Sequence, residues 1–339
     1  MGSIWFDSGE LADHLHELVG YKAGVAVSLP ELCDLLSGSE YPDLVVDSEE
    51  RTVRVRSEVY EDLYYTVLHR VGHTAEKHNG IFDLLDLMLR FRKQHGEDFV
   101  QKLQSIHVEG TRRLVAETQR EGKNVIDPTS LITSARDALG DNGMRAMIEM
   151  LMAQEHMRQL SPHSGARWID WRDVIPLNGL YQRSTNKTAH GEFLDQRLID
   201  FLSTNPDLLG KMHWRKFEEL VAEHFHRLGY TVELGSGQND DGVDIRLWTS
   251  PESPSEASQL HLIQCKRQKD KVEKVIVKGL YADVIHEGAD LGVLVTTSSL
   301  SAGAKKSIQA RGYPIEEVDG EKVTEWLSAL RTPGTGIVR

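Results

Sequence analysis

Two short runs in the C-terminal half decide the fold: Gly-Val-Asp-Ile-Arg-Leu-Trp at 242–248 and Leu-His-Leu-Ile-Gln-Cys-Lys at 260–266. In the first, Val, Ile and Leu occupy every second position, which is the pattern of a β-strand with two distinct faces. Asp244 lies in the middle of this run, although aspartate is disfavoured in strands. In the second run, Gln264 and Lys266 share one face. Polar groups placed among Val, Ile and Leu need a compensating interaction, but each of these features alone is a weak sign of a functional site, because an Asp at a strand end is more often a turn residue than a ligand.

The sequence around these runs alternates between helices and strands. Helices are predicted at 214–228, 272–286, 302–310 and 321–330, and further strands at 230–234, 291–296 and 314–318. Strands that cluster early and then alternate with helices predict an α/β fold, with a mixed central sheet covered on both faces by helices.

One helix carries a third candidate site residue. On a helical wheel of 214–228, Glu218 falls inside the apolar stripe, whereas Glu219 and Glu223 are predicted to point toward water. A carboxylate on a buried face has to be paired, metal-bound or protonated, because an isolated buried charge is costly. The alternative is that Glu218 swings out to solvent at the edge of the stripe.

Taken together, these features resemble the Mrr-type restriction endonuclease domain, a branch of the PD-(D/E)xK nuclease superfamily. The resemblance covers roughly residues 208–330 and implies a restriction-endonuclease-like α/β/α sandwich that hydrolyses DNA phosphodiester bonds with Mg²⁺. It is carried by Phe217-Glu218, Leu228-Gly229-Tyr230, Gly242–Ile245, Ile263–Lys266, Gly292–Ser298, Ser301 with Ala304, and Asp319-Gly320. The first 200 residues contain no comparable motif.

The resemblance also implies a role for each site residue. Asp244 would be the main ligand of a Mg²⁺ ion, for which Mn²⁺ can substitute, and the backbone carbonyl of Cys265 would be another. Glu218 would complete the site directly or through a metal-bound water. Lys266 would orient or deprotonate the attacking water, or stabilise charge on the phosphoryl oxygens. Gln264 stands where the superfamily commonly has Glu or Asp, although the Mrr branch uses Gln. Because the amide oxygen of Gln264 is neutral, we expect weaker metal affinity than with a carboxylate at this position, and a correspondingly larger role for Glu218.

The charge distribution bears on a nucleic-acid partner. The net charge of −13 opposes binding to a polyanion, but residues 1–200 carry 32 acidic and 22 basic side chains against 20 and 17 in residues 201–339. Residues 266–278 hold six basic side chains against two acidic ones, a local positive patch. The predicted contacts to duplex DNA are Arg267, Lys269, Lys271, Lys274, Thr297 and Ser298.

The N-terminal half of the sequence has a different pattern of predicted secondary structure. Helices are predicted at 8–18 and 29–36, followed by extended runs at 44–46 and 52–55 that suggest a hairpin, so residues 1–57 are compatible with a winged helix. A largely helical stretch follows at 58–159, with breaks at Asp127-Pro128 and 140–143. We therefore predict a mainly α-helical domain at 1–160 for specificity, sensing or assembly, a linker and connecting helix at 161–204, the nuclease domain at 205–332 and a tail at 333–339.

Three other features favour a structural role. His69, His73 and His78 are predicted to lie on one helix, and the four-residue step from His69 to His73 could bind a metal, but no third ligand or catalytic Glu is placed by spacing. Trp168 and Trp171 could stack on bases, although packing is the simpler interpretation. The Met-rich segment at 144–157 could form a partner groove, with core filling as the default.

The length of 339 residues predicts more than one core, and no apolar run approaches the roughly 20 residues needed to span a bilayer. Two distant cysteines, Cys33 and Cys265, and the absence of a signal pattern predict a cytoplasmic protein. Cutting both DNA strands favours a homo-oligomer. The alternatives are a junction-resolvase-like repair nuclease, a DNA-binding module with an inactive nuclease core, and an N-terminal half that serves as a platform for a protein partner.

Overall fold

A computed structural model describes residues 2–123, 125–169, 171, 173–181, 190–235, 242–249 and 258–331, and the structural statements below refer to these. The predicted tail at 333–339 and positions 250–257, a polar insert between two predicted strands, lie outside them. The chain folds as two compact units. The helical unit contains residues 1–3, 56–65 and 78–168, and the sheet unit contains 4–55, 66–77 and 169–339. The predicted division of the sequence at 160 and 204 stays a prediction.

The elements follow one another in chain order. The strands are β1 (Ser3–Phe6), β2 (Val25–Ala26), β3 (Val53–Arg56), β4 (Ile175–Pro176), β5 (Thr231–Leu234), β6 (Ile245–Trp248), β7 (Leu260–Lys266), β8 (Leu291–Thr296) and β9 (Ile315–Val318). The helices are α1 (Glu10–Ala23), α2 (Leu29–Leu35), α3 (Tyr41–Glu50), α4 (Ser57–Arg70), α5 (Ile81–His95), α6 (Glu97–Arg120), α7 (Thr129–Leu160), α8 (Leu177–Tyr181), α9 (Gln196–Thr204), α10 (Trp214–Arg227), α11 (Lys274–Glu287), α12 (Ala302–Arg311) and α13 (Gly320–Leu330). A 3₁₀-helix spans Pro206–Lys211.

The sheet unit is built on a five-stranded sheet in the order β5-β6-β7-β8-β9. The pairs β5-β6 and β6-β7 are antiparallel, and β7-β8 and β8-β9 are parallel. The helices α11 and α12 connect the parallel strands, as parallel pairing requires. The predicted α/β class with a mixed central sheet is therefore confirmed, and strands β7 and β8 have the predicted limits.

The sheet is held in place by an apolar cluster shared with α11 and α12. Its buried members are Val243, Leu262, Val272, Val277, Leu280, Val284, Leu294, Leu300, Ala304 and Ile315. Helix α10 contacts β5, β6 and β7, and α13 contacts β8. Because α10 packs against three strands, the side chains on its sheet-facing side are placed rigidly beside the end of β7.

Helix α10 is buried on more sides than the wheel predicts. Glu218 is buried as expected, but Glu223, predicted to face water, is fully buried. Its carboxylate accepts hydrogen bonds from the backbone N–H groups of residues 192–194 and from Arg227. Glu219 is also mostly buried and pairs with Lys216. The wheel prediction for Glu219 and Glu223 is wrong because a single apolar stripe does not reveal a second packing surface made of backbone donors.

The predicted hairpin in the N-terminal region is wrong. Residues 44–46 lie in α3, whereas β3 pairs with β1. A run of three apolar residues fits either a strand or a buried helix face, and Pro42 in the first turn of α3 is the helix signal that decides between them. The segment 1–57 therefore lacks the hairpin that the winged-helix interpretation required.

The helical unit contains α5, α6 and α7, which pack around one apolar cluster. Its buried members are Leu87, Phe91, Val100, Leu103, Leu131, Ala135, Ala146, Met147 and Met150. The predicted breaks are present, since α6 ends before Asp127-Pro128 and α7 is kinked at Gly140, whose φ of 69° suits glycine. Met147 and Met150 fill the core as expected, whereas Met152 is exposed. None of the helices in the described ranges is long and apolar enough to cross a membrane.

Candidate active site

The backbone holds Asp244 at the edge of the sheet. Asp244 immediately precedes β6, so it is a residue at a strand end and the mid-strand prediction is wrong by one position. Its N–H donates to the carbonyl of Ile263 (2.9 Å), and its own carbonyl accepts the N–H of Gly235 (2.8 Å). Asp244 therefore stays between β5 and β7 although regular pairing with β6 begins one residue later.

The carboxylate of Asp244 binds β7 directly. Its Oδ2 accepts the backbone N–H of Cys265 at 2.6 Å. This side-chain contact satisfies an N–H group that would otherwise be buried without a partner, which explains how an aspartate is accommodated here. The same contact places the carboxylate beside the segment Gln264–Lys266.

Glu218 reaches the same place from α10. The side chain is 5% exposed, and its Oε2 accepts a hydrogen bond from Nη1 of Arg215 (2.8 Å). Burial and the nearby charge of Asp244 raise the pKa of Glu218 to about 7, although Arg215 acts in the opposite direction. Two carboxylates therefore share one buried site, and their mutual repulsion favours binding of a cation or a proton.

Gln264 presents an unsatisfied oxygen at this site. Its Nε2 donates to the carbonyl of Gly242 (2.7 Å), while its buried Oε1 has no hydrogen-bond partner among the described residues. Gly242 has a φ of 92°, and a Cβ on it would lie 3.2 Å from Nε2 of Gln264. Glycine at 242 thus permits the turn and the close approach that fix the orientation of the amide.

Lys266 ends β7 and is half-buried. Its backbone carbonyl accepts the Oγ1 hydroxyl of Thr296 (2.8 Å) and the N–H of Thr297 (3.3 Å), so the end of β7 is tied to the end of β8. The thiol of the neighbouring Cys265 is buried, and burial with the nearby carboxylates raises its pKa. A neutral, buried thiol leaves the backbone as the part of Cys265 that is available to the site.

These groups fit a hard divalent cation. Mg²⁺ binds carboxylate, amide and carbonyl oxygens, and the site offers two carboxylates and the free Oε1 of Gln264. Within the described ranges, no group of three His, Cys, Asp or Glu side chains forms a metal cluster. The third side chain that could bind a metal here is Gln264, and glutamine is outside that set of residue types.

Sequence reasoning missed Arg215. Its Nη2 also donates to the carbonyl of Gly235 (2.6 Å), so the guanidinium joins Glu218 to the chain just after β5. The available signal was the spacing of three residues on one helix, which places Arg215 and Glu218 on the same face.

The predicted DNA contacts separate into two groups. Lys269, Thr297 and Ser298 line a groove of about 640 Å³, together with the acidic residues Asp207, Asp319 and Glu321. The Thr297 hydroxyl donates to the carbonyl of Gln268 (3.0 Å), and the Ser298 hydroxyl donates to that of Lys269 (3.1 Å). Arg267 donates to the carbonyl of Gly210 (2.7 Å), and Lys271 and Lys274 are exposed outside the groove lining. Because both hydroxyl protons are used internally, these hydroxyls can offer a phosphate no free proton in this arrangement.

Comparison with known proteins finds a family match in the C-terminal region. Residues 209–327 match the family model Mrr_cat, described as a restriction endonuclease. The recognition of a Mrr-type domain in this part of the chain is therefore confirmed, and the chain carries a restriction-endonuclease-like nuclease domain. The match covers the helix, the strands and all four predicted side chains of the site.

Individual proteins match parts of this chain. A 145-residue segment is 31% identical to an uncharacterized protein, y4cE, of Sinorhizobium fredii (strain NBRC 101917 / NGR234), covering 42% of this chain and 37% of that protein. The DNA modification-dependent restriction endonuclease AspBHI is 21% identical with a TM-score of 0.32, covering 49% of this chain and 44% of that one. The MspJI restriction endonuclease in complex with a 27-mer oligonucleotide is 16% identical with a TM-score of 0.27, covering 60% and 46%. The chain spans less than half the length of each.

Proposed function

We propose that this protein, whose C-terminal domain matches the restriction endonuclease family, is a Mg²⁺-dependent endodeoxyribonuclease that acts on duplex DNA in prokaryotic defence against foreign or modified DNA. The observation that carries the proposal is the meeting of Glu218, Asp244, Gln264 and Lys266 at one end of β7, with the Gln264 oxygen left unsatisfied. Mn²⁺ would substitute for Mg²⁺ because it accepts the same oxygen ligands.

The residues that would hold the ion are Asp244, Glu218, Gln264 through Oε1, and Cys265 through its backbone carbonyl. When bound, a divalent cation supplies an activated water and neutralises charge on the phosphoryl oxygens. The chain contributes the geometry, because the Asp244 carboxylate is fixed by the Cys265 N–H and the Gln264 amide by the Gly242 carbonyl.

Two further roles concern the charge on the phosphate and the exchange of a proton with solvent. Lys266, at the end of β7, would orient the attacking water or stabilise negative charge on the scissile phosphate. Glu218, with a pKa of about 7, can take up or release a proton near neutral pH before an ion binds. Arg215 holds its carboxylate in place meanwhile.

We also propose that two regions of the chain have different functions. The region 1–160 would serve specificity, sensing or assembly, through a protein partner or a second copy of the chain, and the region 205–332 would cut DNA. Cleavage of both strands would then take two copies, and the protein would act in the cytoplasm.

The deciding experiment is digestion of unmodified, modified and branched duplex DNA with Mg²⁺, Mn²⁺ or chelator, using the wild type, Asp244→Asn and the exposed control Asp137→Asn. We expect metal-dependent cutting of linear duplex by the wild type and the control. Asp244→Asn should be slower by at least about a hundredfold, as for loss of one electrostatic contributor. Cleavage that persists in chelator would refute metal dependence, and preference for branched DNA would indicate a repair nuclease instead.

A further inference from the structure

The helical unit exposes more apolar surface than its share of the chain. Among the described residues, sixteen large apolar side chains are exposed, and eight of them lie in this unit, which holds less than a third of the chain. Three of the eight belong to α5, where Phe82 is 62% exposed, Leu85 49% and Leu89 55%. Single exposed apolar residues are normal on a protein surface, whereas a contiguous set indicates an interaction site.

The three side chains form one stripe along α5. Their spacing of three and then four residues places them on the same face of the helix. Leu87 and Phe91 lie on the opposite face and are buried in the apolar cluster of the helical unit. Helix α5 therefore has two apolar faces, of which the fold uses one and leaves the other exposed to solvent.

Two charged side chains flank this stripe. Asp86 and Lys93 are both exposed, and neither has a hydrogen bond or an ion pair with another described residue. They are seven residues apart, which is about two helical turns, so they lie on the same side of the stripe and about 10 Å apart along the axis. Arg92, by contrast, is already paired with Glu97. A free acid toward the start of α5 and a free base toward its end are complementary to a second α5 that runs in the opposite direction.

We propose that α5 forms a two-fold symmetric dimer interface, in which the stripe of Phe82, Leu85 and Leu89 packs antiparallel against the same stripe of a second copy of the chain. Asp86 of each copy then lies near Lys93 of the other, and one two-fold axis generates both pairs. A parallel arrangement would instead place like charges together. The proposal rests on the assembly role proposed above for the region 1–160, and it would supply the two copies that cleavage of both strands takes.

A groove beside the stripe enlarges the surface that a second copy could cover. Specific interfaces bury about 800 Å² on each partner, which is more than three side chains supply. The groove lies between α5 and α7, has a volume of about 580 Å³ and is lined by Asp86, Arg90 and the 68% exposed Met152, among others. Its mixed charged and apolar lining suits the flank of a second α5, which is apolar along the stripe and charged beside it.

Sedimentation equilibrium of the full chain, without DNA or metal, measures the dimer directly. We expect the wild type to dimerise at micromolar concentration. Leu89→Asp places a charge in the stripe and should weaken dimerisation at least about a hundredfold, whereas Val108→Asp, at an exposed apolar position of α6, should leave it unchanged. A wild type that stays monomeric at about 100 µM, or a dimer that survives Leu89→Asp, would overturn the proposal. Circular dichroism spectra of the two variants check that both are folded.

Exchange of the flanking charges tests the antiparallel direction. Asp86→Lys and Lys93→Asp should each weaken the dimer about tenfold, because each creates two like-charge contacts, and the double variant should restore the wild-type affinity. In a parallel dimer, or in one formed through another surface, the single variants would change little, and that result would overturn the arrangement. Because no cleavage is measured, failure of the dimer leaves the nuclease proposal standing, and an inactive nuclease leaves this test valid.

Discussion

Replacing Glu218 by Gln should stabilise the metal-free protein at alkaline pH while it removes activity. The pKa of Glu218 lies at about 7 in the folded state against 4.5 for an unperturbed glutamate, chiefly because of burial and Asp244. A raised folded-state pKa means that the native state binds the proton more tightly than the unfolded chain does. The stability contributed by that proton is present below pH 4.5 and is lost as the pH rises through 7.

The size of the effect follows from the shift. Each pKa unit corresponds to about 1.4 kcal/mol, so ionisation of Glu218 in the fold costs at most about 3.5 kcal/mol above pH 7. Gln resembles the protonated form and avoids this cost. Urea denaturation in chelator should therefore show Glu218→Gln to be more stable than the wild type by about 1–3 kcal/mol at pH 8, with the difference vanishing near pH 4.5.

The control is Glu316→Gln, an exposed glutamate of β9 in the same unit, which should change stability by less than about 0.5 kcal/mol at either pH. Glu219 is unsuitable as a control because its carboxylate pairs with the buried Lys216. A Glu218→Gln variant that is less stable than the wild type at pH 8, or one whose stability difference does not depend on pH, would refute the reasoning. Full nuclease activity in this variant would separately exclude Glu218 from the catalytic site.

Three further outcomes are expected. Gln264→Glu replaces the amide that carries the free Oε1 by a carboxylate, so it should lower the Mg²⁺ concentration needed for half-maximal cleavage. An unchanged Mg²⁺ requirement would place residue 264 away from the ion. Arg215→Gln should raise the pKa of Glu218 further and move the acid limb of the pH–rate profile upward, with partial restoration by Arg215→Lys; an unmoved profile would contradict that role. Glu223→Gln should destabilise the fold by about 2–4 kcal/mol, measured by urea denaturation, with normal turnover once folded, since Glu223 holds Arg227 and three backbone N–H groups.

The sequence by itself determined the sheet and selected the four candidate site residues. Alternation at 242–248 and 260–266 depends only on the period of a strand, so β7 appears with its predicted limits and β6 within three residues of them. Glu218, Asp244, Gln264 and Lys266 were selected as candidate site residues by their resemblance to the Mrr-type motif, because each residue alone is a weak signal. Local pattern was sufficient for the strands, and the motif was sufficient to select the candidate residues.

Only the tertiary structure decided the surroundings of these residues. The hydrogen bond from Arg215 to the carbonyl of Gly235, the Cys265 N–H on Asp244 and the burial of Glu223 by backbone donors at 192–194 all join segments that are distant in sequence. Residues 44–46 became helical because a short apolar run fits two periods and its neighbours decide between them. Likewise, His78 came to line a groove beside Met152 because α5 and α7 pack together, and a one-dimensional spacing rule carries no information about such a contact.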